Sequence, residues 1–153
     1  METWGLVLAG GGAKGAYQIG AWKALLEYGY MEKVSAVSGA SIGAINALLM
    51  AGSNYHDARE AWDKIDWLTV FAPSLSLLDG EEGSFSREEL IDILDEVVDY
   101  KQAASGTRTL WVGVTRMIAQ SEALAEGLGD TYKKSNMEAV YLDMTGRSKE
   151  EIE

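Results

Sequence analysis

The chain has 153 residues, a formal net charge of −11, one proline and no cysteine. Its length suits one domain, and 47% hydrophobic residues suffice for an ordinary core. The acidic balance opposes binding to nucleic acid and to anionic membranes, and the lack of cysteine excludes disulfides and thiol chemistry.

The start, Met1-Glu2-Thr3-Trp4, has no basic region of a signal peptide. No apolar run approaches the ~18–20 residues that span a bilayer. These features predict a soluble, cytoplasmic protein with no transmembrane segment.

Residues 3–9 are short and apolar and read as a first strand. Gly10-Gly11-Gly12-Ala13-Lys14-Gly15 follows and opens a helix over residues 15–28. Consecutive glycines expose backbone N–H groups without side-chain obstruction, which makes an anion cradle. Gly10, Gly12 and Gly15 also satisfy the dinucleotide fingerprint G-x-G-x-x-G. That motif needs an acidic residue at the end of the second strand, where this chain has Ser38-Gly39. A P-loop is excluded because glycine, not serine or threonine, follows Lys14. Lys14 is expected to lay its stem beside the loop.

Residues 34–38 read as a second, buried strand, and residues 42–51 as a second helix. Between them lies Gly39-Ala40-Ser41-Ile42-Gly43, a G-x-S-x-G pentapeptide in a strand–turn–helix setting. The turn is expected to expose Ser41 at the top of the sheet. Gly39 and Gly43, lacking Cβ atoms, let strand and helix approach closely. The first amides of the helix, Ile42 included, have no intrahelical partner and carry the positive end of the dipole. If the first two strands are parallel neighbours, both glycine-bearing loops lie on one carboxyl edge of the sheet, where open α/β sheets bind ligands.

A short helix then follows, with Asp57 as its expected cap and Ala58, Ala61, Trp62 and Ile65 at helical spacing. Residues 67–78, with Pro73, read as a partly buried apolar connection. Ser86-Arg87-Glu88-Glu89 is a capping box. Its helix has Leu90, Ile91, Leu94, Val97 and Val98 on one face and six acidic side chains, Asp99 among them, on the other. An acidic face of this spacing reads as solvated, not as a metal site. Residues 109–115 read as a third strand, 120–128 as a helix and 139–144 as a fourth strand. A last capping box lies within residues 146–151. The alternation predicts an α/β fold, doubly wound, with a mostly parallel sheet flanked by helices.

The only histidine, His56, follows a helix that runs away from Ser41 for about ten residues at ~1.5 Å each, so it is expected on the surface far from the serine. Asp143, near the end of the fourth strand, stands on the elbow's edge if the sheet is parallel. It is the one candidate base that the spacing offers.

The glycine loop and, some thirty residues on, Gly39-Ala40-Ser41-Ile42-Gly43-Ala44 together resemble the patatin-like phospholipase family. The likeness continues more weakly through Trp111-Val112-Gly113-Val114-Thr115. The resemblance implies a lipid acyl hydrolase with a Ser-Asp dyad, acting on a small ester or lipid without metal or other cofactor. It implies Ser41 as nucleophile, and Gly10, Gly11 and Gly12 with the Ile42 amide as oxyanion hole. The family's aspartate sits in a D-G-G or D-G-A motif. The only Asp-Gly here is Asp79-Gly80, followed by Glu81. The interval between the third and fourth strands is also short for the family. The expectation is therefore one patatin-like domain with a shortened second half and impaired catalysis. Two alternatives stand beside it: a non-catalytic scaffold that retains the elbow as a turn, and an acyltransferase, which usually needs a histidine that His56 is poorly placed to supply.

Overall fold

The computed structural model describes residues 2–64, 87–117 and 137–152. Its elements in chain order are β1 (Trp4–Leu8), a 3-10 turn (Gly12–Gly15), α1 (Ala16–Glu27), a second 3-10 turn (Met31–Lys33), β2 (Val34–Ala40), α2 (Ile42–Gly52) and α3 (Tyr55–Lys64). After residues 65–86 come α4 (Arg87–Val97), α5 (Tyr100–Ala104) and β3 (Thr109–Met117). β4 (Met137–Asp143) and α6 (Lys149–Ile152) follow residues 118–136. The expected connection over 67–78, Asp79, Ser86 and the expected helix over 120–128 lie outside the described residues.

The sheet order is β1-β2-β3-β4. β1 pairs with β2 and β2 with β3 in parallel, so the ends of β1 and β2 share one edge, as the glycine spacing requires. β4 pairs with β3 antiparallel. The result is a mostly parallel sheet flanked by helices.

Strand alternation sends Leu8, Val37 and Leu110 inward, where they meet Leu48, Leu49 and Met50 of α2 in one apolar cluster. Every α2 residue from Asn46 to Gly52 is buried, which explains an apolar run with little amphipathic character. The opposite register positions leave Val7 80% and Tyr141 69% exposed, so one sheet face is the core side among the described residues.

Local chemistry departs from expectation in three places. The cap of α3 is Asn54, not Asp57: the Asn54 Oδ1 accepts the Asp57 amide at 3.0 Å, and its Nδ2 donates to the Asp57 carboxylate at 2.7 Å. Asp99 is not part of the acidic face of α4. It caps α5, a helix the periodicity did not reveal, accepting the Gln102 amide at 3.0 Å. β2 runs to Ala40, two residues beyond its expected end, because Gly39 and Ala40 still pair with Val112 and Gly113. The acidic side chains Asp95 and Glu96 are exposed and ion-paired to Lys149 and Lys64 respectively, in keeping with a solvated face.

Candidate active site

The turn between β2 and α2 is a single residue. Ser41 has φ 54° and ψ −131°, and it is the only non-glycine residue with positive φ among the described residues. A β-bearing residue in that region is strained, and such strain persists only where the surroundings enforce it. Here the surroundings are two close backbone approaches. A Cβ on Gly39 would overlap the Gly43 carbonyl, and a Cβ on Gly43 would overlap the Leu8 carbonyl. The first contact folds α2 tightly back on β2, and the second seats the start of α2 on the end of β1. Ser41 is left exposed between them, and its carbonyl accepts the Ala44 amide at 2.8 Å to start the helix.

The glycine loop lies against this turn. A Cβ on Gly10 would stand 3.2 Å from the Ser41 Cβ and 3.9 Å from its Oγ, so the bare Gly10 backbone borders the hydroxyl. Gly11 (φ 154°) and Gly12 (φ 57°) take conformations that glycine adopts at little cost. The Gly11 carbonyl accepts the Lys14 amide at 3.2 Å, which closes the loop into the 3-10 turn before α1. Lys14 is exposed, its Cβ beside Gly11. Gly10, Gly11, Gly12, Ser41 and the Ile42 amide are thus brought to one edge of the sheet by two loops.

Gln18 of α1 and Asn46 of α2, 2% and 0% exposed, lie beneath this edge. The Gln18 Nε2 donates to the Ala9 carbonyl at 2.8 Å. The Asn46 Nδ2 donates to the Gly15 carbonyl at 3.1 Å and to Gln18 Oε1 at 2.7 Å. The Trp62 indole N–H donates to Asn46 Oδ1 at 2.8 Å. Sequence reasoning passed over this pair. The available signal was a lone asparagine inside the apolar run of residues 42–51, and a glutamine beside Ile19 on the buried face of α1.

Asp143 does not share the elbow's edge, because β4 runs against β3. Asp143 pairs with Trp111, which pairs with Ser38. It therefore sits two strands across from β2 and three residues short of Ser41, roughly 14 Å away at ordinary strand spacing and rise. Its carboxylate accepts the Thr145 amide at 2.9 Å. The hydrogen bonds from Thr145, aided by the nearby Arg147 charge, hold it below the usual aspartate range, which weakens it as a base.

His56 lies in the first turn of α3 with its side chain 79% exposed, facing Asp57 and Glu60. Among the described residues no side chain hydrogen-bonds to the Ser41 hydroxyl, and no three acidic or histidine side chains gather to hold a metal ion. No helix among them is long and apolar enough to cross a membrane.

The family model described as patatin-like phospholipase matches residues 6–139, a stretch containing both glycine loops and Ser41. Neither the curated proteins nor the solved structures include a significant match to this chain.

Proposed function

The chain belongs to the patatin-like phospholipase family, and we propose that it is a serine acyl-ester hydrolase with Ser41 as nucleophile, acting on a lipid or small ester. The observation that carries this reading is the strained, exposed Ser41 bordered by Gly10. Strain at a residue that ordinary turns would avoid is the signature of a nucleophile held out of the sheet.

In the reaction, the Ser41 Oγ attacks the ester carbonyl carbon and loses its proton to a base. The carbonyl oxygen becomes an oxyanion, facing the amides of Gly11 and Gly12 and the Ile42 amide at the head of α2. The tetrahedral adduct collapses, the C–O bond to the alcohol breaks, and the alcohol leaves with a proton. Water then cleaves the acyl-serine to free acid. No cofactor is needed.

The base is the weak point. The 153 residues hold no D-G-G or D-G-A motif, and Asp143 stands off the edge. General base catalysis is worth ~10²–10⁴ in rate. We therefore read the domain as one with a shortened second half and slow chemistry: acylation of Ser41 by activated esters, with an acyl-enzyme that persists. The second reading, a scaffold retaining the elbow as a turn, is favoured by the absence of a base beside the Ser41 hydroxyl among the described residues.

A fluorophosphonate probe separates them. It forms a Ser41 Oγ–P bond with loss of fluoride and one proton. A stable adduct mapped to Ser41 is the expected result. Silence under conditions that label an ordinary serine hydrolase would sink the hydrolase reading in favour of the scaffold.

A further inference from the structure

We propose that Gln18 and Asn46 are positioning residues that fix the glycine loop against the nucleophile elbow, an inference that rests on the hydrolase reading for its catalytic meaning. The loop runs between two carbonyls. That of Ala9, just before Gly10, is held by Gln18, and that of Gly15, at its close, by Asn46. Asn46 stands on α2, the helix that Ser41 begins, so its amide joins the far end of the loop directly to the nucleophile's own helix.

The orientation of every amide follows from the fixed groups at the ends. A backbone carbonyl can only accept, and an indole N–H can only donate. The Asn46 atom facing Gly15 is therefore the nitrogen, and the one facing Trp62 is the oxygen. The Gln18 atom facing Ala9 is the nitrogen, which leaves its oxygen for the second Asn46 hydrogen. Each bond requires the next, and no member can turn without orphaning a buried group.

This wiring has a catalytic consequence. Oxyanion donors act only when aimed at the place where charge develops, and a misplacement of ~1 Å can cost ~10²-fold. Gly10, Gly11 and Gly12 have no side chains with which to anchor the loop themselves. Their aim relative to Ser41 depends on the two held carbonyls on either side, and on the close seating of α2 on β1.

The test uses the full chain and a fluorophosphonate, with the labelling rate split into maximal rate and half-saturating concentration. Gln18→Met keeps the bulk and removes both of Gln18's bonds. Trp62→Phe is the control: it removes the hydrogen bond to Asn46 and trims the ring edge beside Gly15, but removes no hydrogen bond to the loop. The expected result for Gln18→Met is a maximal rate lower by about 10- to 100-fold, half-saturation within about twofold of the parent, and faster hydrogen exchange confined to the amides of residues 10–15. Trp62→Phe should lower the melting temperature at least as much with a far smaller loss of rate. If Gln18→Met does not fold, Gln18→Asn, one methylene too short to span to Ala9, takes its place. An unchanged maximal rate, or an equal loss in Trp62→Phe, overturns the proposal while the hydrolase reading stands. Should the parent itself fail to label at Ser41, that reading falls, and the exchange measurement decides alone: unchanged protection of residues 10–15 overturns the positioning role, and faster exchange sustains it.

Discussion

Ser41 and Asp143 each stand at the end of a strand in one sheet, yet their surroundings differ in kind. Ser41 is held in a rare backbone conformation by contacts from β1, β2 and α2, above a buried amide pair. Asp143 ends an antiparallel strand and spends its carboxylate on a local turn, accepting the amide two residues on. The difference teaches that nearness to a strand's end says little. A residue is set apart by what the fold must distort to maintain it, and of these two only Ser41 shows such distortion.

Four experiments break or sharpen that contrast. The largest effect is expected from Ser41→Ala, which should abolish fluorophosphonate labelling and any hydrolysis of a nitrophenyl ester. Hydrolysis at the parent rate would place the activity on another residue. Next is Gly11→Pro, which removes an N–H at a position whose φ of 154° proline cannot adopt. A lost oxyanion donor costs ~10²–10³ in rate, so labelling measured by intact mass should slow at least that far. A loss under about threefold would argue against the loop as the oxyanion site.

Gly43→Ala probes the architecture itself. The added Cβ meets the Leu8 and Ala9 carbonyls, backbone atoms that cannot turn aside. Overpacking of this kind costs ~1–3 kcal/mol or more, which urea denaturation would read. A variant as stable as the parent would show that α2 is not seated on β1 as described.

The smallest effect is expected at Asp143. Asp143→Asn should leave the labelling rate within about twofold, since the carboxylate lies far from the elbow. A loss of tenfold or more would mean that it reaches Ser41 after all. Its signature belongs to stability instead. The folded carboxyl titrates below its ordinary value of 3.8, so it binds its proton less readily when folded. The parent's margin over Asp143→Asn is whole above that value and is lost as pH falls through the lower folded one. Melting curves from neutral pH down to the acid range would follow it, and a margin that grows on acidification would contradict the assignment.

The legible parts of the molecule were those written in local chemistry. The glycine loop, the elbow and the strands on either side stand out because glycine, serine and β-branched residues have few alternative uses in that order. The α4 acidic face was legible for the same reason, its pattern being one of solvation. What escaped was a helix break at Asp99, whose capping partner is only three residues on, and the contacts set by partners distant in the chain. Asp99 looks like one more acid of a helix face until a second helix starts on it. Gln18 and Asn46 look like isolated polar residues on apolar faces until they meet each other across 28 positions.

The direction of β4 belongs with these. A run such as Ala139-Val140-Tyr141-Leu142 carries the period of a strand but no sign of which way it will pair, since side-chain alternation is the same in either direction. The sequence by itself therefore determined the Ser41 turn, the glycine loop and the family, because each depends on which residues can adopt a conformation or approach a backbone closely. Tertiary structure alone decided that Asp143 stands away from the edge that holds Ser41 and that two buried amides tie the glycine loop to the elbow's helix. Both depend on which distant segments share a hydrogen bond, and no local propensity encodes that choice.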